Sequence, residues 1–206
     1  MSAAPSNPAP NPTKWAGVPL TDRRAERRAS LVDAAFRLFG DGGEAALSVR
    51  SVSRECGLNT RYFYESFKDT DDLLGAVYDL VSAELGQAIE SAMATAGDTL
   101  RARTRAGIAA VLDFSSADAR RGRVLFTDAR ANPVLTVRRA ATQDLLREAV
   151  LSEGWRLHPG TDPVAAMVGA AMYTGAMAEL AQQWLAGHLG EDLDTVVDYA
   201  LQFVLR

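Results

Sequence analysis

Between Ser48 and Phe67 the chain reads Ser-Val-Arg-Ser-Val-Ser-Arg-Glu-Cys-Gly-Leu-Asn-Thr-Arg-Tyr-Phe-Tyr-Glu-Ser-Phe, a run that leaves few folding options. Val49, Val52 and Cys56 recur at i, i+3 and i+7 and share one face of a short helix. Phe63 and Phe67 stand one helical turn apart in a second piece. Gly57 between the two marks a tight turn, and Ser48 is a suitable N-cap for the first. With the apolar residues turned inward, Thr60, Arg61, Tyr64 and Lys68 face out.

A third helix precedes them. From Arg23 to Phe39 the residues Leu31, Val32, Ala35, Phe36, Leu38 and Phe39 form a stripe of helical period; Thr21 or Asp22 can cap its start, and Asp41-Gly42-Gly43 ends it. Leu31, Ala35, Phe36, Phe39, Val49, Val52, Leu58, Phe63 and Phe67 then bury one another, at roughly 1.5–3 kcal/mol per large side chain. Two helices crossing through a Gly turn, the second with donors and a guanidinium on its outer face, are the layout of a helix-turn-helix DNA reader. Arg61 is long enough to reach guanine O6 and N7 in a major groove. Ser48, Tyr64, Ser66 and Lys68 suit phosphate contacts. Val49, Arg50, Asn59, Thr60 and Tyr62 complete the candidate DNA-binding surface. Arg23, Arg24, Arg27 and Arg28 of the preceding helix suit the sugar-phosphate backbone or else a solvated face; Arg23 and Arg27 share one face and Arg24 and Arg28 the next, so not all four can contact one strand. The plain alternative is a structural three-helix unit with a solvated basic face.

Charge follows the same division. Net charge is −4, yet residues 1–70 carry ten Lys or Arg against eight acids, and the rest twelve against eighteen. A mildly positive front and an acidic back orient the front toward phosphates. The single cysteine, Cys56, excludes an intramolecular disulfide and fits a reducing compartment; at its apolar position it reads as a small packing residue. No cationic segment precedes an apolar one at the N-terminus, and the longest uncharged apolar stretch, 163–178, is 16 residues, short of the ~20 that span a bilayer. A cytoplasmic protein with no membrane segment is expected.

Residues 1–20 hold five of the eight prolines and read as a disordered arm, with Trp15 as its one large anchor. Beyond the front trio, Asp69-Thr70-Asp71-Asp72 opens a long helix to about residue 94. Helical patterns recur at about 98–116, 118–129, 134–153, 162–188 and 191–205. No alternating β-branched run appears. The expectation is an all-α chain of about nine helices: residues 21–68 as a three-helix DNA-binding domain and 69–206 as a longer-helix body.

Catalytic and metal chemistry find no foothold. His158 and His188 are the only histidines, thirty residues apart with no Cys or acid at metal-ligand spacing. No phosphate-cradling Gly loop and no nucleophile elbow occurs. The acids at 69–72 read as a helix opening, which favours negative charge. No metal, no cofactor and no enzymatic activity are expected.

Arg28-x-x-Leu31-Val32-x-Ala34-Ala35-x-x-Leu38-Phe39, Gly42/Gly43, Ser48-Val49-x-x-Val52 and Gly57-Leu58-Asn59-x-x-x-Phe63-Tyr64-x-x-Phe67, followed by Leu73, resemble the N-terminal domain of the TetR (tetracycline repressor) family. The resemblance covers about residues 23–75. It departs at Ser66, where His is usual, at Arg61, where Gly is frequent, and at Thr70, where Lys is common. It implies an all-helical homodimer on double-stranded, palindromic DNA, with a C-terminal domain that holds a small, often apolar effector. Phe114, Phe126, Trp155, Met167, Met172, Tyr173 and Trp184 are the candidates to line that effector pocket. Gly169, Ala170, Gly175, Ala176 and Ala178 make the helix from 162 thin, so this helix and the last one are candidates for a dimer four-helix bundle. The leading expectation is a ligand-responsive regulator, most simply a repressor. A DNA-binding or architectural protein without effector, and a helical small-molecule enzyme, are the alternatives.

Overall fold

A computed structural model describes residues 20–127 and 132–205; the expected arm, Trp15 included, lies almost wholly outside them. Nine α-helices follow in order: α1 Leu20–Gly42, α2 Val49–Glu55, α3 Thr60–Tyr64, α4 Thr70–Thr95, α5 Leu100–Ala117, α6 Ala119–Gly122, α7 Pro133–Leu157, α8 Pro163–Leu185 and α9 Leu193–Val204. A short 3₁₀ turn occupies Glu44–Ala46, and α6 runs directly into a wider π-helical turn over Arg123–Thr127. No strand occurs among the described residues, as expected.

Side-chain caps start most of these helices. Asp69, Thr99, Asp118, Asn132, Asp162 and Asp192 each accept a backbone N–H from the first turn that follows, satisfying donors a helix start leaves orphaned. The acids at 69–72 therefore open α4, as read. Three boundaries differ from the sequence reading. Helix α1 begins at Leu20, so Thr21 and Asp22 lie inside its first turn rather than ahead of it. The expected helix at 118–129 is a single α turn that widens into the π turn. Helix α7 continues through Gly154 to Leu157. An isolated Gly weakens a helix by only about 1 kcal/mol, and here Glu153 ties the last turn to Arg156 and to Arg103 of α5.

One contiguous apolar core joins front and body. Leu31, Ala34 and Ala35 of α1, Val52 of α2 and Phe63 of α3 are fully buried. Helix α4 buries Leu73, Leu74, Val77, Tyr78 and Val81 along one stripe, packing on α1 near its start and on α5 and α7 along its length. Ile108 and Leu112 of α5, Ala181 of α8 and Val197 and Leu201 of α9 continue the core.

Arginines close the polar seams. Arg123 Nη1 donates to the carbonyls of Gly40 and Asp41 at 3.1 and 3.2 Å, capping the C-terminal end of α1 from the body. Next to it Arg120, paired with Asp118 at 3.0 Å, lies over the Phe36 ring at 5.4 Å. A Cβ added at Gly40 would stand 2.4 Å from Arg120 Cβ. On the other side Arg138 of α7 lies against Gly75 of α4 and pairs with Asp79. Arg105 of α5 reaches Asp194 and Asp198 of α9 at 2.8 and 3.0 Å.

Two outcomes follow. Gly40→Ala forces apart the seam between α1 and α6 and is expected to destabilise by about 1–3 kcal/mol, outweighing a helix-propensity gain of roughly 0.5–1 kcal/mol; an unchanged denaturation midpoint would show that the Arg120 stem yields freely. The second concerns acid. Hydrogen bonding from Arg156, and then from Arg103, holds the Glu153 carboxyl down from 4.5 to about 2 although burial opposes this. A depressed folded-state value stabilises above the unfolded one and fades as pH falls. The stability gap between wild type and Glu153→Gln should therefore be full near neutral pH and close between pH 4.5 and about 2; a gap independent of pH would contradict it.

Candidate nucleic-acid interface

Local hydrogen bonds shape the surface built on α2 and α3. Ser48 caps α2 reciprocally: Ser51 N donates to Ser48 Oγ at 3.0 Å and Ser48 N donates to Ser51 Oγ at 2.9 Å. Ser51 Oγ also donates to Ala46 O at 2.8 Å, fixing how the chain enters. Helix α2 ends on Gly57, whose φ of 64° lies in the left-handed region. Gly57 N donates to Arg54 O at 3.1 Å and Leu58 N to Ser53 O at 2.9 Å, the paired bonds of a Schellman ending. Asn59 then starts α3, its Oδ1 accepting from Arg61 N at 2.9 Å. The chain thus reverses within three residues, and Phe63 and Phe67 go into the core with rings 6.0 Å apart.

What remains faces solvent. Ser48, Arg50, Asn59, Thr60, Arg61, Tyr62, Tyr64 and Lys68 are exposed; Val49, Ser66, Arg23 and Arg27 are half-buried. The Arg61 side chain is 83% exposed, with only its Nε engaged by the fold. Some expected contacts have intramolecular work. Asn59 gives its carbonyl oxygen to the cap, and Arg27 lies 4.8 Å over the Tyr62 ring with Nη2 3.9 Å from Glu65. Lys68 Nζ sits 3.9 Å from Asp69.

Arg24 and Arg28, also candidates for the sugar-phosphate backbone, have intramolecular partners as well. Arg24 Nη2 donates to the Glu65 carbonyl at 2.8 Å, and Arg28 lies 4.7 Å over Phe67. Arg61 Nε donates to Glu65 Oε1 at 3.2 Å. The only sequence signal for Glu65 was its spacing four residues after Arg61. Nothing local showed that the first turns of α1 would reach it. Cys56 packs at the joint of α1 and α2, its Sγ donating to Ser30 O at 3.3 Å, and burial pushes its thiol up. That environment disfavours the thiolate.

The effector-pocket candidates divide into two groups. Phe114, Phe126, Tyr173 and Trp184 turn inward: Phe126 is buried, and the other three pack half-buried against the core. The Tyr173 hydroxyl lies 3.7 Å from where a Cβ on Gly107 would stand, near Met93 Sδ, and burial pushes it up to about 12. Trp184 Nε1 is buried without a hydrogen-bond partner among the described residues. Trp155, Met167 and Met172 instead stand 44%, 58% and 70% exposed, so they line no interior space of the single chain. The reason is helical phase. Tyr173, Met177, Ala181 and Trp184 share the inner face of α8, whereas Val164, Val168, Ala171 and Met172 share the outer one.

Known proteins agree with this architecture. Residues 31–77 match the family described as bacterial regulatory proteins, tetR family. A BetI transcriptional regulator of Burkholderia thailandensis is 34% identical over 96 residues, covering 47% of this chain and 49% of that protein, so the chain spans about half the length of such relatives. The transcriptional activator FasR of Mycolicibacterium smegmatis is 26% identical over 181 residues, 87% of this chain and 82% of that one. Among solved structures, the fatty acid degradation regulator FadR of Bacillus halodurans superimposes with a TM-score of 0.69 at 19% identity over 87% of this chain and 94% of that one. FadR of Bacillus subtilis in complex with stearoyl-CoA does so with 0.68 at 17% identity over 86% and 97%. These last two speak to the fold. Residues 31–77 therefore carry the helix-turn-helix pattern of the tetR family of bacterial regulatory proteins, and the all-α body has the fold of these regulator structures.

Proposed function

We propose that the protein is a homodimeric, ligand-responsive transcriptional regulator, a repressor that releases a palindromic operator when a small apolar effector binds. Residues 21–68 form the reading unit and 69–206 the effector and dimerisation unit. One observation carries the reading: the turn at Gly57 and the buried Phe63 and Phe67 force Arg61 outward on a short, capped helix, 83% exposed. Arg61 reads base edges, Thr60 and Tyr64 flank it, and Ser48, Arg50, Ser66 and Lys68 hold phosphates. Two such helices about 34–36 Å apart read successive half-sites.

Two further features support the dimer and the effector. Helix α8 is apolar on opposite faces, one in the core and one exposed at Val164, Val168 and Met172; α9 adds exposed Tyr199 and Phe203. Such a two-faced helix is explained by a symmetric partner. At 23 residues, α8 is also long and apolar enough to cross a membrane, a property that buried core helices share. The inward aromatics of α8, with Phe114 and Phe126, suit an apolar ligand. The Bacillus subtilis FadR structure, of the same fold, is a complex with stearoyl-CoA, a molecule with a long apolar chain. A ligand that prefers one spacing of the reading helices shifts operator affinity by differential binding.

Selection of duplex DNA from a random pool, with and without long-chain acyl thioesters, tests the whole scheme; recovery of no preferred sequence overturns it. Arg61→Ala should lose about 1–3 kcal/mol on the selected site and relax one base-pair preference, and intact discrimination would remove Arg61 from base reading. Phe203→Glu, which places a charge on the outer face of α9, should convert the dimer to monomer in sedimentation and weaken operator binding; a persisting dimer would place the interface elsewhere.

A further inference from the structure

Glu65 is a carboxylate at the end of α3, on a surface that the proposed function turns toward phosphates. By itself such a charge repels DNA. Here three arginines converge on it from two helices. Arg61 Nε donates to its Oε1 at 3.2 Å, Arg27 Nη2 lies 3.9 Å from its Oε2, and Arg24 Nη2 donates to its backbone oxygen at 2.8 Å. Arg27 is itself fixed over Tyr62. Glu65 is 32% exposed while Arg61 is 83% exposed, so the anchor is sheltered and the anchored group is not.

The atom engaged on Arg61 matters. Its hydrogen bond uses Nε, and an arginine held there keeps its two terminal nitrogens available for the planar fork that matches guanine O6 and N7. An unheld arginine samples many rotamers and loses that freedom on binding. Arg24 and Arg27 meanwhile supply the positive charge that offsets the carboxylate where it faces phosphates.

We propose that Glu65 is a positioning residue for base recognition, holding Arg61 by Nε in a forward-facing fork before DNA arrives, with Arg24 and Arg27 as its anchor. This rests on α3 being the reading helix. An exposed i,i+4 pair contributes little to folding stability, so its loss is read in recognition.

The experiment uses the full-length chain and the duplex selected by wild type. Affinities for that duplex, and for one altered at the base pair where Arg61→Ala loses discrimination, are measured over a range of salt. Four proteins are compared: wild type, Glu65→Gln, Arg61→Ala and the double variant. Glu65→Gln is expected to lose discrimination on the order of tenfold. It should keep its Tm and bind random duplex at least as tightly as wild type, because a repelling charge is gone. In the Arg61→Ala background the same change should alter discrimination no further. Wild-type discrimination in Glu65→Gln overturns the proposal. So does additional loss in the double variant, or a uniform weakening on both duplexes with a lowered Tm, which marks a structural role only. A wild type that binds both duplexes equally overturns the reading of α3 itself, and this inference with it.

Discussion

The burial of α4 against α1 is the constraint on which the rest of the molecule depends. Leu73, Leu74 and Val77 are buried in the same core as Leu31, Ala35 and Phe63. Thereafter the stripe on α4 packs into the body. A front of one long and two short helices has little core of its own, and isolated helices of five and seven residues are far below the length that holds in water. Helix α4 supplies the missing apolar wall and fixes the front to the body in the same stroke. Any change in the attitude of α4 is therefore felt at the Gly57 turn, because close-packed interiors transmit displacement rather than absorb it.

Arginine does the second tier of positioning. Arg123 caps α1 from the π turn, Arg120 fills the space that Gly40 vacates, Arg138 crosses Gly75 to Asp79, and Arg24 and Arg27 grip the end of α3. These contacts are planar, multiply donating and individually modest. The Arg120 and Arg123 contacts join the body to the end of α1, whereas Arg138 works within the body and Arg24 and Arg27 within the front.

Helix α8 carries the other organising tension. Its inner face completes the core while its outer face leaves Val164, Val168 and Met172 in solvent. Its composition explains both facts, since a helix rich in Ala, Gly and Met with a single acid has no polar side to offer. The proposed dimer answers this without a further element. The same geometry explains why Met167 and Met172 belong to the outside and Tyr173 and Trp184 to the inside.

Much of this was legible in the residues. The period of Leu31 to Phe39, the Ser48 cap, the Gly57 turn and the spacing of Phe63 and Phe67 are local signals, each tied to backbone geometry within a few residues, and together they dictate the three front helices and the outward direction of Arg61. The opening of α4 at Asp69 and the all-α body were equally local. What the sequence could not supply was phase and partnership at long range. Whether Met172 faces inward depends on where α5 and α7 lie. The grip of Arg24 and Arg27 on Glu65 joins residues about forty apart. The widening of α6 into a π turn lies at the seam with α1, where Arg120 and Arg123 both contact α1. Local propensity acts over one or two turns, whereas these choices are made only when distant helices compete for the same space.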